Sequence, residues 1–335
     1  MKSSIRNILI GLILVIVLAF VAFRGDQLLE LFNTMKRGLG VALCLAIASQ
    51  LAKYVSQSFA YHFSFAAVGE TMHVKHTLPL VFGTFFMNTV APSLNMAGAT
   101  LVIDDARRRG IAPGKATSAA LLMQMTIESG FMTIMIVGFV LLYLAHKLSA
   151  VWFLLGLVVV FMVASMAAIM VIGRTHPSVL VKILSPIERV INAVLVRFKK
   201  ESLSPWVHNM VQSFRDAAGI IAHTPQVAAR AFGCSVIAST CELMAFCLVG
   251  LAFGIYDIEA LICGYVVATL FAMISITPQG VGVVEAAVVV CFTAYGVSGA
   301  AGMAAVLVYR GIVFWMPFFI GAVFIQRTKM FSTKE

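Results

Sequence analysis

Five ionisable residues, Lys53, Glu128, Glu242, Glu285 and Arg310, stand inside long apolar stretches of a 335-residue chain that is 61% hydrophobic and 11% charged. A charge at the centre of a membrane helix costs at least ~2.5–3.5 kcal/mol on insertion scales, so each needs a partner, water or neutralisation. Glu285 and Arg310 are the richest in chemistry. Gly280 and Gly282 let backbones approach closely, and a helix starting near Val281 leaves free N–H groups and a positive dipole end suited to a phosphate. Arg310 adds a planar donor fork for the same phosphodiester. Glu285 then holds Arg310, binds a cationic group or carries a proton; the alternative is a buried structural ion pair.

Gln50, Lys53, Tyr54 and Gln57 recur at i, i+3, i+4 and i+7, so they share one helix face. That stripe is either a track for a polar head group or a hydrogen-bonding seam to another helix. Glu242, in a later span, is expected to pair with Lys53 or to titrate. Asn88, Ser93 and Asn95 flank Pro92 and are expected to supply uncharged donors to a central site, with capping of broken helix ends as the alternative for Ser93 and Asn95. Glu128 lies in the middle of the following span. Arg230 is near enough to a span end to snorkel. His73 and His76 form H-x-x-H without a third ligand nearby, so no metal is expected. No phosphate loop, nucleophile elbow or metalloprotease motif occurs, and no cofactor is expected.

The elements that must position these groups are read from the apolar runs. The expected fold is an all-α polytopic membrane protein forming a single transmembrane domain over 1–335. Six segments have the ~20 residues that cross about 30 Å of hydrocarbon: 5–23, 39–61, 116–145, 151–172, 228–253 and 300–325. Two regions are too short and broken to span simply. Leu78–Ala91 gives about 21 Å of helix before Pro92, and a further apolar piece runs to Ile103. Leu261–Ser275 and Val281–Val297 meet at "TPQG". Both regions are expected to be helical hairpins, re-entrant or crossing, with ordinary kinked spans as the alternative.

Lys and Arg concentrate near Lys2 and Arg6, Lys75, 107–115, 174–215 and 327–334, whereas the opposite connectors hold Arg24, Lys36, Arg37 and Lys147. This bias places both termini in the cytoplasm of a cell (inner) membrane protein. The hairpins then enter from opposite sides, making 39–145 and 228–325 candidate inverted repeats, an arrangement found in secondary transporters. The first 23 residues resemble a signal peptide but lack a clean cleavage site, so an uncleaved first helix is expected. The connector 173–227 carries Ile183, Ile187, Val190, Ile191, Val194 and Phe198 at helical spacing among basic residues and is expected to lie along the cytoplasmic interface. The net charge of +10 is spread over connectors, which argues against nucleic acid as a partner. The six cysteines lie in apolar runs and read as small buried hydrophobes.

The motif P-x-G-x-G-x-x-E, present as "TPQGVGVVEAA" (277–287), is followed by "AYGVSG" (294–299) and "AAVLVYRGIVFWMPFFIGAV" (304–323). With "NTVAPSLNMAGATL" (88–101) and "RRRGIAPGKATSAALLMQMTIES" (107–129), these segments resemble the lysylphosphatidylglycerol synthetase/flippase transmembrane-region family. Many members carry an arginine and a Gly-Glu pair after the first-hairpin proline. Here Asn95 and Gly98-Ala99 stand instead, and the fused soluble aminoacyl-transfer domain of bifunctional members is not expected. The resemblance therefore implies a flippase-like membrane unit without lysyl transfer.

The leading expectation is a lipid flippase or lipid-related secondary transporter rather than an enzyme. It would handle a phospholipid with an anionic or aminoacylated head group using Glu285, Arg310, Gly280, Gly282, Glu128, Lys53, Gln57, Glu242, Asn88, Ser93 and Asn95. Two alternatives stay open. One is an intramembrane enzyme acting on a lipid or lipid-linked sugar with a glutamate base. The other is a non-catalytic subunit recruiting a separate lipid-modifying enzyme through 173–227. The lipid, the energy source and the oligomeric state are not encoded in any readable motif.

Overall fold

The computed structural model describes residues 39–90, 96–144, most of 154–197, 206–274 and 278–325, and is helical with no strand among them. Four helices occupy the first half: α1 (Gly40–Ala67), α2 (Val74–Val90), α3 (Met96–Arg108) and α4 (Pro113–Leu144). Beyond 154–175, helical where described, come α5 (Pro177–Arg197) and α6 (Trp206–His223). The second half contains α7 (Pro225–Ala252), α8 (Ile258–Ile274), α9 (Val283–Ala294), α10 (Gly299–Arg310) and α11 (Met316–Phe324), the last two joined by a π-helical turn over Gly311–Trp315.

The two long helices that open the halves are inverted in their polarity. In α1, Ser49, Gln50, Lys53, Gln57, Ser58 and Ser64 are buried, while Val41, Leu45, Val55 and Phe59 are exposed. α7 buries Ser235, Ser239 and Glu242 and exposes Phe232, Ile237 and Met244. Apolar side chains outside and polar ones inside suit a hydrocarbon surround, where the polar groups must find each other. They do so across the α1–α7 contact. Ser49 Oγ donates to the Cys241 carbonyl (2.8 Å) and Ser56 Oγ to the Cys234 carbonyl (2.7 Å). Because the pairing runs 49 with 241 and 56 with 234, the helices are antiparallel. Gly69 and Gly254, both at positive φ, close α1 and α7 with the same backbone bonds: Glu70 N–H to Phe65 C=O and Ile255 N–H to Gly250 C=O.

Three described helices are long and apolar enough to cross a bilayer: Pro113–Leu141, Pro225–Ala252 and Gly299–Phe324. They correspond to three of the six spans expected from sequence. The fourth, 39–61, lies within the 28-residue α1, whose internal polar residues hold down its hydropathy. The first expected span, 5–23, lies outside the described residues, and 151–172 is described only in part. α2 and α3, and likewise α8 and α9, are short helices of 17 and 13 and of 17 and 12 residues. α8 and α9 are apolar but below spanning length. The connector 173–227 holds two helices where one interfacial helix was expected. Cys44 corrects the reading of the cysteines as uniformly buried: it is exposed, while Cys263 and Cys291 are buried.

The halves interlock. Gly321 of α11 packs against the Phe82 backbone and the Phe86 side chain of α2, and the Phe86 and Phe318 rings lie 5.0 Å apart. Reciprocally, Gly138 of α4 packs on Val266 and Ile262 of α8. Gly130 of α4 lies so close to α7 that an added Cβ would come within 2.7 Å of the Ser235 carbonyl carbon and oxygen, which are backbone atoms unable to rotate away. Gly130→Ala is therefore expected to force α4 from α7 and cost about 1–3 kcal/mol, measured as reduced resistance to thermal unfolding in detergent. An unchanged midpoint would mean that these helices are not in contact there.

Candidate functional site

Two buried ion pairs form inside the bundle. The first joins the halves: Lys53 Nζ of α1 lies 2.5 Å from Glu242 Oε1 of α7. Lys53 also sits 5.5 Å from the ring centroids of both Tyr54 and Phe131, and aromatic faces favour a desolvated ammonium. Glu242 Oε2 accepts a 3.4 Å bond from the Tyr265 hydroxyl of α8. The sequence stripe is buried as a unit: Gln50, Lys53, Tyr54 and Gln57 all face inward, and Gln50 Nε2 donates to the Tyr54 hydroxyl at 3.1 Å. The reading in which Glu242 meets Lys53 thus holds.

The second pair sits at the break between α8 and α9. Pro278–Gly280 form one tight turn in which Gln279 has φ 52°, an uncommon conformation for a residue with a side chain. Gly280 and Gly282 follow at φ 69° and 88°. A Cβ on Gly280 would lie 2.5 Å from Val284 Cγ2 and 3.0 Å from Ala272 Cα, so close approach and positive φ both require glycine. α9 then starts at Val283, two residues later than the sequence suggested. Glu285 in its first turn reaches back, and Oε2 accepts the Gly282 N–H at 2.6 Å. This is the carboxylate arm of a capping box, and it corrects the expectation of wholly free N–H groups there. Glu285 Oε1 accepts from Arg310 Nε at 3.0 Å.

Arg310 ends α10, immediately before the π-helical turn, a feature frequent at functional sites. Its guanidinium carbon lies 5.0 Å from the Phe314 ring centroid. Arg310 is 6% exposed, and its Nη2 is buried without a hydrogen-bond partner among the described residues. A buried guanidinium with one arm engaged and one arm open is prepared to accept an anion.

The remaining sequence candidates divide. Asn88 at the end of α2 accepts the Gly98 N–H at 2.7 Å, so its carbonyl caps α3. Ser93 and Asn95 lie outside the described residues. Glu128 is not brought to either pair by a described bond; its Oε1 accepts from Gln124 Nε2 at 2.6 Å. Arg230 is exposed near the start of α7. Tyr265, Phe131 and Phe314 contribute to the site without having stood out in the sequence, because aromatic residues are indistinguishable there from ordinary core. α2 packs against the 278–280 turn, so the first half touches the break between α8 and α9.

Apolar helices that turn polar residues inward and pair charges within the bundle define a helical integral membrane protein with a polar interior. The chain belongs to the lysylphosphatidylglycerol synthase TM region family, whose model matches residues 8–321. The sequence resemblance is thereby confirmed over nearly the whole chain. A search of curated proteins finds no significant match.

Proposed function

We propose that this protein is a lipid flippase or lipid-related secondary transporter of the cell membrane that moves a phosphate-bearing head group through the site between its two hairpins. The observation that carries the reading is the Glu285–Arg310 pair at a broken helix, with Arg310 Nη2 open inside the bundle. A head-group phosphate would take the open arm, while the start of α9 contributes its dipole. Glu285 supplies the counter-charge when the site is empty, so the cation is never left unpaired in hydrocarbon. The Lys53–Glu242 pair, Gln50 and Gln57 form the polar surface along which the head group travels, and acyl chains stay in the bilayer.

An inverted repeat over 39–145 and 228–325 supplies the alternating geometry in this reading. Its support is the antiparallel α1–α7 contact, the matching order of a long helix, a broken hairpin and a long helix, and the reciprocal exchange in which each half's hairpin packs on the other's last helix. Both termini then lie in the cytoplasm.

Lipid movement in proteoliposomes tests the reading, with head-group-labelled phospholipids compared between wild type and folded Glu285→Gln and Arg310→Ala variants. Movement of a phosphate-bearing lipid that Arg310→Ala abolishes and Glu285→Gln slows is expected. If wild-type protein moves none of the panel, the transport reading fails. If movement persists in Arg310→Ala, the assignment of the site fails instead.

A further inference from the structure

The surface outside the bundle holds a second feature, in the helix that follows the apolar stretch 151–172. α5 starts at Pro177, so even a fully extended connector keeps its first turn within about 17 Å of Ile172. The connector is in fact tight: His176 N–H donates to the Ile172 carbonyl and Val179 N–H to the His176 carbonyl. Ile172 packs against a small core formed by Leu180 of α5 with Val207 and Val211 of α6. α6 contacts α4 and α7 in turn, so α5 is fixed against the end of the bundle rather than free in solution.

The face α5 turns away from α6 is mixed. Val179 and Ile183 are 45% and 59% exposed, and Lys182, Pro186 and Arg189 are exposed beside them. These five positions recur at i, i+3, i+4, i+7 and i+10, which is one side of a helix. Apolar residues at the middle of a stripe with cations along its edge fit the boundary of a bilayer, where the apolar groups reach the acyl region and the cations meet phosphates. Water is a poor surround for Val179 and Ile183, and the tether keeps them near a bilayer end.

We infer that α5 is an anionic-phospholipid docking surface, with Val179, Ile183 and Pro186 seated at the glycerol–acyl boundary and Lys182 and Arg189 against the head-group phosphates. The lipid here is a stationary ligand at the protein's edge, distinct from any lipid in the interior, so this assignment stands independently of transport.

The test uses the full chain with its native cysteines replaced by serine, shown to be folded, and a nitroxide label at Ile183→Cys. The protein is reconstituted in vesicles of phosphatidylcholine alone or with 30% phosphatidylglycerol, the latter chosen by us as the anionic probe. With the anionic lipid, the label is expected to be open to dissolved oxygen and closed to a water-soluble nickel chelate. Lys182→Gln with Arg189→Gln should lower the docked-to-undocked ratio on the order of thirtyfold, at about 1 kcal/mol for each cation. A label reached by the nickel chelate in anionic vesicles overturns the proposal, because the face is then in water. A label closed to both reagents also overturns it, since protein covers the face. Insensitivity to both the anionic lipid and the double substitution removes the electrostatic part and with it the assignment.

Discussion

Lys53→Met is expected to destabilise the folded protein by about 3–5 kcal/mol, because it leaves the Glu242 carboxylate buried without its counter-charge. Glu242→Leu should cost a similar amount by stranding the ammonium between Tyr54 and Phe131. Carrying both substitutions should recover most of the loss, since two apolar side chains in one buried contact need no partners. The cycle has a favourable geometry for interpretation: Ser49 and Ser56 hold the same α1–α7 contact on either side of Lys53, so the helices stay in register when the pair is removed. Unfolding of the four proteins in detergent micelles provides the measurement. Additive losses in the double variant would mean that Lys53 and Glu242 do not interact.

Much of this architecture was visible in the sequence because membrane helices leave few choices. Spans, breaks and intramembrane charges are each local signals, and Pro278, Gly280 and Gly282 marked the break between α8 and α9. Pairing was harder to read. Lys53 and Glu242 are separated by 189 positions, and only the antiparallel packing of α1 on α7 brings them together. Glu285 and Arg310 were easier, being 25 apart on the consecutive helices α9 and α10.

The errors have specific causes. Gly282-x-x-Glu285 has the spacing of a reach-back cap, and reading the glycines only as places of close backbone approach hid the fact that Glu285 occupies part of the helix end. α6 was absorbed into a connector because Arg215 and Asp216 interrupt a helix whose buried contacts, Val207 and Val211, are only one turn apart. Asn88 was read as a donor to the central site, and its acceptance of the Gly98 N–H corrects that: the side-chain amide can do either, and the position of Gly98 decides it. The π-helical turn after Arg310 has no local signature beyond Gly311 and Pro317.

Arg310→Lys is the substitution that separates a ligand site from a structural ion pair. A lysine ammonium can still meet Glu285, so a merely structural pair should survive the change, with some stability lost because the stacking on Phe314 goes. It cannot present a second planar arm to another anion while held by that carboxylate. Loss of one hydrogen bond to a charged group corresponds to about 1.5–3 kcal/mol, or roughly 10–150-fold. Movement of a phosphate-bearing lipid by Arg310→Lys is therefore expected to fall by on the order of 10–100-fold in protein that remains folded. Glu285→Gln acts on the other side of the same exchange. A glutamine carbonyl can still accept the Gly282 N–H, but it no longer balances the guanidinium, so Arg310 should hold an anionic head group more tightly and release it more slowly. The paired readouts are binding of a short-chain phospholipid and movement of its long-chain counterpart. Tighter binding with slower movement in Glu285→Gln, against weaker binding and slower movement in Arg310→Lys, is the expected pattern. Wild-type movement in Arg310→Lys would reduce the pair to a structural clamp and remove the site from the transport path.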